Sequence, residues 1–159
     1  MKERLKMSPI IKYSTYKTTQ PYVDIIMNTL TEEDRTLMSF QTDEKYLTKN
    51  GKEQVVYRSL LLQHNIPASF FDLLDVGDAL NAVVVTRSGK HRGHGNANKV
   101  VTEGLQWWEL NKHNLSYKKI NWWVDMDNTS SVDLAEKHGF IKDPASTSEY
   151  DNFILYEKH

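Results

Sequence analysis

The strongest constraint on this chain is a change in its hydrophobic period across a short glycine-rich, basic segment. Before that segment the pattern is that of strands: Gln54–Gln63, Ile66–Val76 and Leu80–Thr86, parted by turn residues at His64-Asn65 and Gly77-Asp78. Two hairpins in succession predict an antiparallel meander. The segment Ser88–Asn96 then intervenes, and Ala97–Asn111 follows with Ala97, Val100, Val101, Leu105 and Trp108 on one helical face. A strand at Ile120–Met126, a helix at Thr129–His138 closed by Gly139, a strand starting at Phe140-Ile141 and a last strand at Asn152–Glu157 complete the order. A strand feeding a helix feeding a strand favours parallel pairing across that unit.

Upstream, Ile10–Tyr16 reads as a strand and Thr19–Leu30 as a helix, with Pro21 early and Tyr22, Ile25, Ile26 and Leu30 at helical spacing. Thr31 is placed to cap a second short helix over Thr31–Phe40, whose Glu32, Glu33 and Asp34 suit its positive end. Asp43–Leu47 reads as a further turn, and Asn50-Gly51 as a break. Nothing suggests a repeat or a linker, so residues 1–159 read as one domain.

Composition excludes some chemistry. With no cysteine, disulfides, thiolate zinc sites and cysteine nucleophiles are ruled out. The formal net charge of −1 argues against a general nucleic-acid binder. The charged start is unlike a secretory signal, and no apolar run approaches the ~20 residues of a membrane span, so a cytoplasmic, non-membrane protein is expected.

The segment Lys90–Ala97 carries the chemistry. It leaves a strand and opens a helix, where backbone N–H groups and the helix dipole favour an anion such as a pyrophosphate. Its glycines let the backbone approach a ligand, and Arg92 adds charge. Gly93–Asn98 half-matches a dinucleotide fingerprint, but Asn98 stands where the third glycine belongs and no strand–helix–strand unit begins the chain. A solvated basic turn is the plain alternative for this loop taken alone.

Further along, Asn128-Thr129-Ser130-Ser131 starts a helix that ends in Glu136-Lys137-His138-Gly139-Phe140. On these residues the sequence resembles the GCN5-related N-acetyltransferase (GNAT) family. That family's cofactor loop runs Arg/Gln-x-x-Gly-x-Gly/Ala, filled here by Arg92, Gly95 and Ala97. Its later motif, an Asn followed by a short helix and Glu-Lys-x-Gly-Phe, is matched by Asn128 and by Glu136 to Phe140.

The resemblance implies an α/β GNAT fold: a central mixed, mostly antiparallel sheet with one splayed parallel pair, flanked by helices. It implies an N-acetyltransferase that takes acetyl-CoA as cosubstrate, needs no metal and acts on an amine of a small molecule or protein. Backbone groups at Val83, Val84 and Val85 would hold the pantetheine arm, with a bulge there polarising the thioester carbonyl. The backbone of Arg92, Gly93, His94, Gly95, Asn96 and Ala97 would hold the pyrophosphate, and Asn128 and Ser131 would line the arm. The family often places a tyrosine immediately before the Glu-Lys pair as acid to the leaving thiolate, where this chain has Ala135. Members that modify protein N-termini often lack that tyrosine. With a thiol pKa of about 8.5, thiolate remains a tolerable leaving group near neutral pH.

No residue stands out as acid or base. Asp72, Asp75, Asp78, Asp125 and Asp127 are candidate carboxylates, but strand-end aspartates are more often turn formers or solvated surface groups. One tryptophan of each pair, Trp107-Trp108 and Trp122-Trp123, should be core, and the other is a candidate for an acceptor cleft. His91 and His94 lack a third partner for a metal. Two other readings compete. One keeps the fold as a catalytically weak CoA-binding or interaction module, motivated by Ala135; the other uses Arg87, Lys90, His91 and Arg92 on nucleic acid. Oligomeric state is open, and a homodimer is compatible with the sequence.

Overall fold

A computed structural model describes residues 10–13, 16–36, 55–87, 95–144 and 153–159. Strand β1 (Ile10–Tyr13) leads into helix α1 (Tyr16–Asn28) and the short helix α2 (Glu32–Thr36). Strands β2 (Val55–Gln63), β3 (Ile66–Asp75) and β4 (Ala79–Thr86) follow. Helix α3 (Asn96–Asn111), strand β5 (Lys119–Asp125), helix α4 (Thr129–Lys137) and strands β6 (Ile141–Lys142) and β7 (Phe153–Lys158) complete the described chain.

The sheet has seven described strands in the order β1-β2-β3-β4-β5-β7-β6. Every neighbouring pair is antiparallel except β4–β5, which is parallel. This is the mixed sheet with one parallel pair expected from the sequence. The first hairpin closes on His64 and Asn65, with φ of 53° and 65°, the two left-handed positions of a tight two-residue turn.

Side-chain alternation divides the core into two layers. Phe71, Leu73, Leu80 and Ala82 meet Val100, Val101, Leu105 and Trp108 of α3, while Phe70, Leu74, Val83 and Val85 meet Val23, Ile26 and Met27 of α1. Between the sheet and α1 lies a buried ion pair. Arg58 Nε and Nη2 donate to the two oxygens of Asp72 at 2.6 and 2.7 Å, and Nη1 donates to Thr19 Oγ1 at 2.9 Å.

Some expectations shift. The first strand ends at Tyr13 rather than Tyr16, and α1 begins at Tyr16, so Pro21 lies inside the helix instead of at its start. The buried stripe of α1 is Val23, Ile26 and Met27, with Leu30 packed beside it; Tyr22 and Ile25 face solvent. Those four apolar residues fall at i, i+3, i+4 and i+7, the spacing of a single helical face. Thr31 does cap α2: its Oγ1 accepts from Asp34 N at 3.0 Å, and its N donates to Asp34 Oδ2 at 2.9 Å, a reciprocal capping box. The remainder of the expected second helix and the turn at Asp43–Leu47 lie outside the described residues.

Candidate active site

Strands β4 and β5 share only three rungs, Ala79↔Lys119, Leu80↔Ile120 and Asn81↔Asn121, and then part. Beyond that fork β4 stays with β3, and β5 stays with β7. The result is a V whose inner edges carry no strand partner among the described residues.

Hydrogen bonds at both ends of β4 fix which of its backbone groups face the gap. Arg87 N donates to Ala68 O and Val76 N donates to Ala79 O, at 2.8 and 3.1 Å, so odd-numbered residues of β4 turn toward β3. Lys118 N donates to Asp78 O at 2.8 Å, so even-numbered ones turn toward β5. Past the fork, Ala82, Val84 and Thr86 therefore present N–H and C=O to the gap. Of the three valines singled out in the sequence, Val84 alone offers its backbone there. Val83 and Val85 give theirs to β3, and Ser69 Oγ also donates to Val85 O at 2.9 Å. The expected bulge is absent: β3 and β4 pair one to one from Ser69↔Thr86 to Asp75↔Leu80, and the register shifts fall between β2 and β3 instead. An uninterrupted ladder still exposes an amide at every second residue, so polarising groups do not require a bulge.

The V opens into a cleft of about 440 Å³. One wall is Val84, Val85 and Thr86; the other is Asn128, Ser130, Ser131 and Leu134 of the α4 start. At its head lie Gly95, Asn96, Ala97 and Asn98, and from the α1 side come Leu30 and Asp34. Asp34 is the charged member of this lining among the described residues.

The head of the cleft is the beginning of α3. Gly95 is its N-cap, at φ 74° and ψ 16°, a left-handed conformation that glycine adopts without steric cost. The first intrahelical bond is Lys99 N to Gly95 O at 3.1 Å, so the amides of Asn96, Ala97 and Asn98 precede the ladder. Gly95 brings no capping side chain, and the first turn holds no acid to oppose the dipole. Asn96 is buried, and its Nδ2 donates to Gln63 Oε1 at 3.3 Å; Ser59 Oγ donates to Val100 O at 2.7 Å. Both bonds tie this helix start to β2. Arg92, Gly93 and His94, named from the sequence, lie outside the described residues, as do Lys90 and His91.

On the opposite wall, Asn128 is the N-cap of α4, its Oδ1 accepting from Ser131 N at 3.2 Å. The cap engages Oδ1, and Asn128 lines the cleft. The helix ends with Phe140 N bonded to Ala135 O and Gly139 N to Glu136 O, at 3.0 and 3.1 Å, with Gly139 at φ 83°. This is a Schellman close. Ala135 is fully buried in the core with Trp122 and Phe140, and its methyl group offers no acid.

The candidate carboxylates separate. Asp72 is locked by Arg58. Asp75 accepts from Tyr117 OH at 2.9 Å and from Gly77 N at 2.8 Å, and with Asp78 it lies at the closed end of the V. Asp125 and Asp127 lie at the open end of β5, where Asp125 Oδ1 accepts from Asp127 N at 2.9 Å. Trp108 and Trp122 are core as expected. Trp107 stacks on Tyr57 at 4.5 Å on the α3 side of the sheet, away from the cleft. Trp123 is half-buried on the other face of β5. Among the described residues no group of His, Asp and Glu could hold a metal, and no helix is long and apolar enough to cross a membrane.

Sequence reading missed Leu30, Asp34, Thr86, Asn98, Ser130 and Leu134. Two signals were there to be used: Thr86 extends the period-2 pattern of Val84, and Leu134 lies three residues after Ser131, on the same helical face.

No protein-family model and no curated protein sequence matches this chain. Solved structures do. A GNAT-family acetyltransferase from Streptococcus pneumoniae superposes with a TM-score of 0.62 at 16% identity, over 96% of this chain and 98% of that one. The ribosomal-protein-S18-alanine N-acetyltransferase from Escherichia coli gives 0.64 at 16% identity, over 94% and 91%. The chain has the GNAT acetyltransferase fold. A domain from Methanocaldococcus jannaschii is similar to the same extent, at a TM-score of 0.66 and 16% identity, over 95% and 98%. The matches cover nearly the full length of each chain, so the likeness is to the whole fold and not to a fragment.

Proposed function

We propose that this protein is an N-acetyltransferase that moves an acetyl group from acetyl-CoA to an amine of a small molecule or protein. The observation that carries the reading is the alignment of three features along one cleft. These are the amides of Asn96–Asn98 ahead of the helix ladder, the gap-facing backbone of Val84 and the Asn128 carboxamide across from it.

Each feature suits one part of the cosubstrate. The start of α3 suits a pyrophosphate, because its leading amides precede the helix ladder at the head of the cleft and its first turn holds no acid. Val84 C=O and N–H suit an amide-bearing arm laid against β4 as an added strand edge, with the Asn128 NH₂ as a further donor. Acetyl-CoA supplies an acetyl thioester, an acyl group already activated for transfer. A gap-facing N–H of Ala82 or Val84 would donate to the carbonyl oxygen as negative charge develops on it. The acceptor nitrogen must arrive uncharged, with its proton passed to a base or to water. With Ala135 in place of a hydroxyl, the sulfur departs as thiolate and takes its proton from solvent.

Calorimetry with acetyl-CoA and a thiol-release assay over a panel of amines test this together. Micromolar to millimolar binding with amine-dependent thiol release is expected. Binding without release from any amine would favour the CoA-binding module, and absence of binding would reject both.

A further inference from the structure

Asn98 is the third residue of α3 and lines the head of the cleft. Helical Cα–Cβ bonds tilt toward the helix N-terminus, so its side chain leans back over the turn that carries the leading amides. A carboxamide has two chemically different ends, and here one of them is engaged. Asn98 Oδ1 lies 2.7 Å from His138 Nε2. A carbonyl oxygen only accepts, so the imidazole is the donor of this bond. The polar group of Asn98 that remains for a ligand is its NH₂, which only donates.

His138 is placed to hold that choice. Its backbone is tied on both sides: N donates to Leu134 O at 3.2 Å, and O accepts from Lys158 Nζ at 3.1 Å. The half-buried ring therefore reaches Asn98 from a fixed base at the end of α4. The orientation matters because the described cleft lining contains no lysine or arginine. An anion at its head would meet only neutral donors from these residues. Hydrogen bonds to a charged acceptor are the stronger kind, and a carboxamide turned the other way would set a carbonyl oxygen against the anion.

We propose that Asn98 Nδ2 donates to a phosphate oxygen of the cosubstrate, and that His138 is the positioning residue that keeps the carboxamide turned for it. His138 acts through Asn98 and touches no substrate. The two residues stand 40 positions apart in the chain, so the end of α4 supports a ligand contact made by the start of α3. This inference rests on the acetyl-CoA reading and adds to it a side-chain ligand and that ligand's support.

The test titrates the full chain with coenzyme A by calorimetry and by ¹⁵N NMR. In the wild type the side-chain NH₂ signals of Asn98 should shift as the ligand saturates. His138→Leu should weaken the Kd by about tenfold, the scale of one hydrogen bond to a charged group. His138→Gln still offers an N–H and should restore most of the affinity. In Asn98→Ala, adding His138→Leu should cost nothing further, as expected of a residue that acts through another. Asn98 NH₂ signals unmoved by saturating coenzyme A, an unchanged Kd in His138→Leu, or losses that add in the double variant would overturn the inference. If the wild type does not bind coenzyme A, the functional reading itself fails. Inorganic pyrophosphate then decides: saturable binding that moves the Asn98 NH₂ signals and weakens in His138→Leu supports the phosphate seat, and its absence overturns it.

Discussion

His138 at the end of α4 is hydrogen-bonded to Asn98 in the first turn of α3, Nε2 to Oδ1 at 2.7 Å. This contact joins the two helices that bound the cleft at its head and far wall. Lys158 Nζ adds a bond to His138 O at 3.1 Å. Burial, reinforced by Lys137 and Lys158, holds the His138 imidazole below its ordinary pKa. The folded state therefore binds fewer protons than the unfolded state just below pH ~6.5, the unfolded histidine value. The contribution is present above that pH and is lost as pH falls toward the folded pKa. Urea unfolding at pH 7.5 and pH 5.5 should show a larger acid loss for the wild type than for His138→Gln; equal losses would mean that the imidazole does not titrate differently in the two states.

The direction of the β4 amides yields a paired prediction. Val84→Pro removes an N–H that faces the gap, whereas Val83→Pro removes one that bonds β3. Val84→Pro should keep its fold by circular dichroism and lose turnover by roughly 10²-fold or more, the scale of one lost donor to a developing oxyanion. Val83→Pro should be the more destabilised of the two in thermal melts. The reverse order of stability would show that the backbone polarity assigned to β4 is inverted.

Breaking the Arg58–Asp72 pair should be severe because both side chains are fully buried. Asp72→Asn leaves a guanidinium without its counter-charge and should cost about 3–5 kcal/mol in denaturant unfolding. Replacing both, as Arg58→Met with Asp72→Leu, should recover much of that loss. A double variant as unstable as the single one would assign the pair a role beyond charge compensation.

Helix α3 lies so close to β3 that a Cβ at Gly104 would overlap the Phe71 ring. Gly104→Ala should therefore destabilise by about 1–3 kcal/mol despite the better helix propensity of alanine. Adding Phe71→Leu should return part of it. An unchanged melting temperature in Gly104→Ala would mean that the helix shifts away at little cost.

The strand and helix order was readable because its apolar residues keep strict periods. Val83 to Val85, Val100 with Val101, and Trp108 are placed by alternation or helical phase alone. The phase of α1 was not, because Tyr22 and Ile25 are apolar by type and yet exposed. Pattern cannot separate them from Val23 and Met27 without knowing what the helix packs on. Gly95, Asn128 and Ala135 were legible through spacing to motifs. Asp34 was not, since its place in the cleft comes from the packing of the α1–α2 segment beside β4, which joins distant parts of the chain. The absence of a bulge in β4 was equally out of reach, because an extra residue in one strand shows itself only against its partner.

A crystal grown with coenzyme A bears most directly on the cleft. The pyrophosphate should lie within hydrogen-bond reach of the Asn96, Ala97 and Asn98 amides, with the arm between Val84 and Asn128. A ligand bound elsewhere, or a saturated soak with nothing between those two residues, would contradict the account.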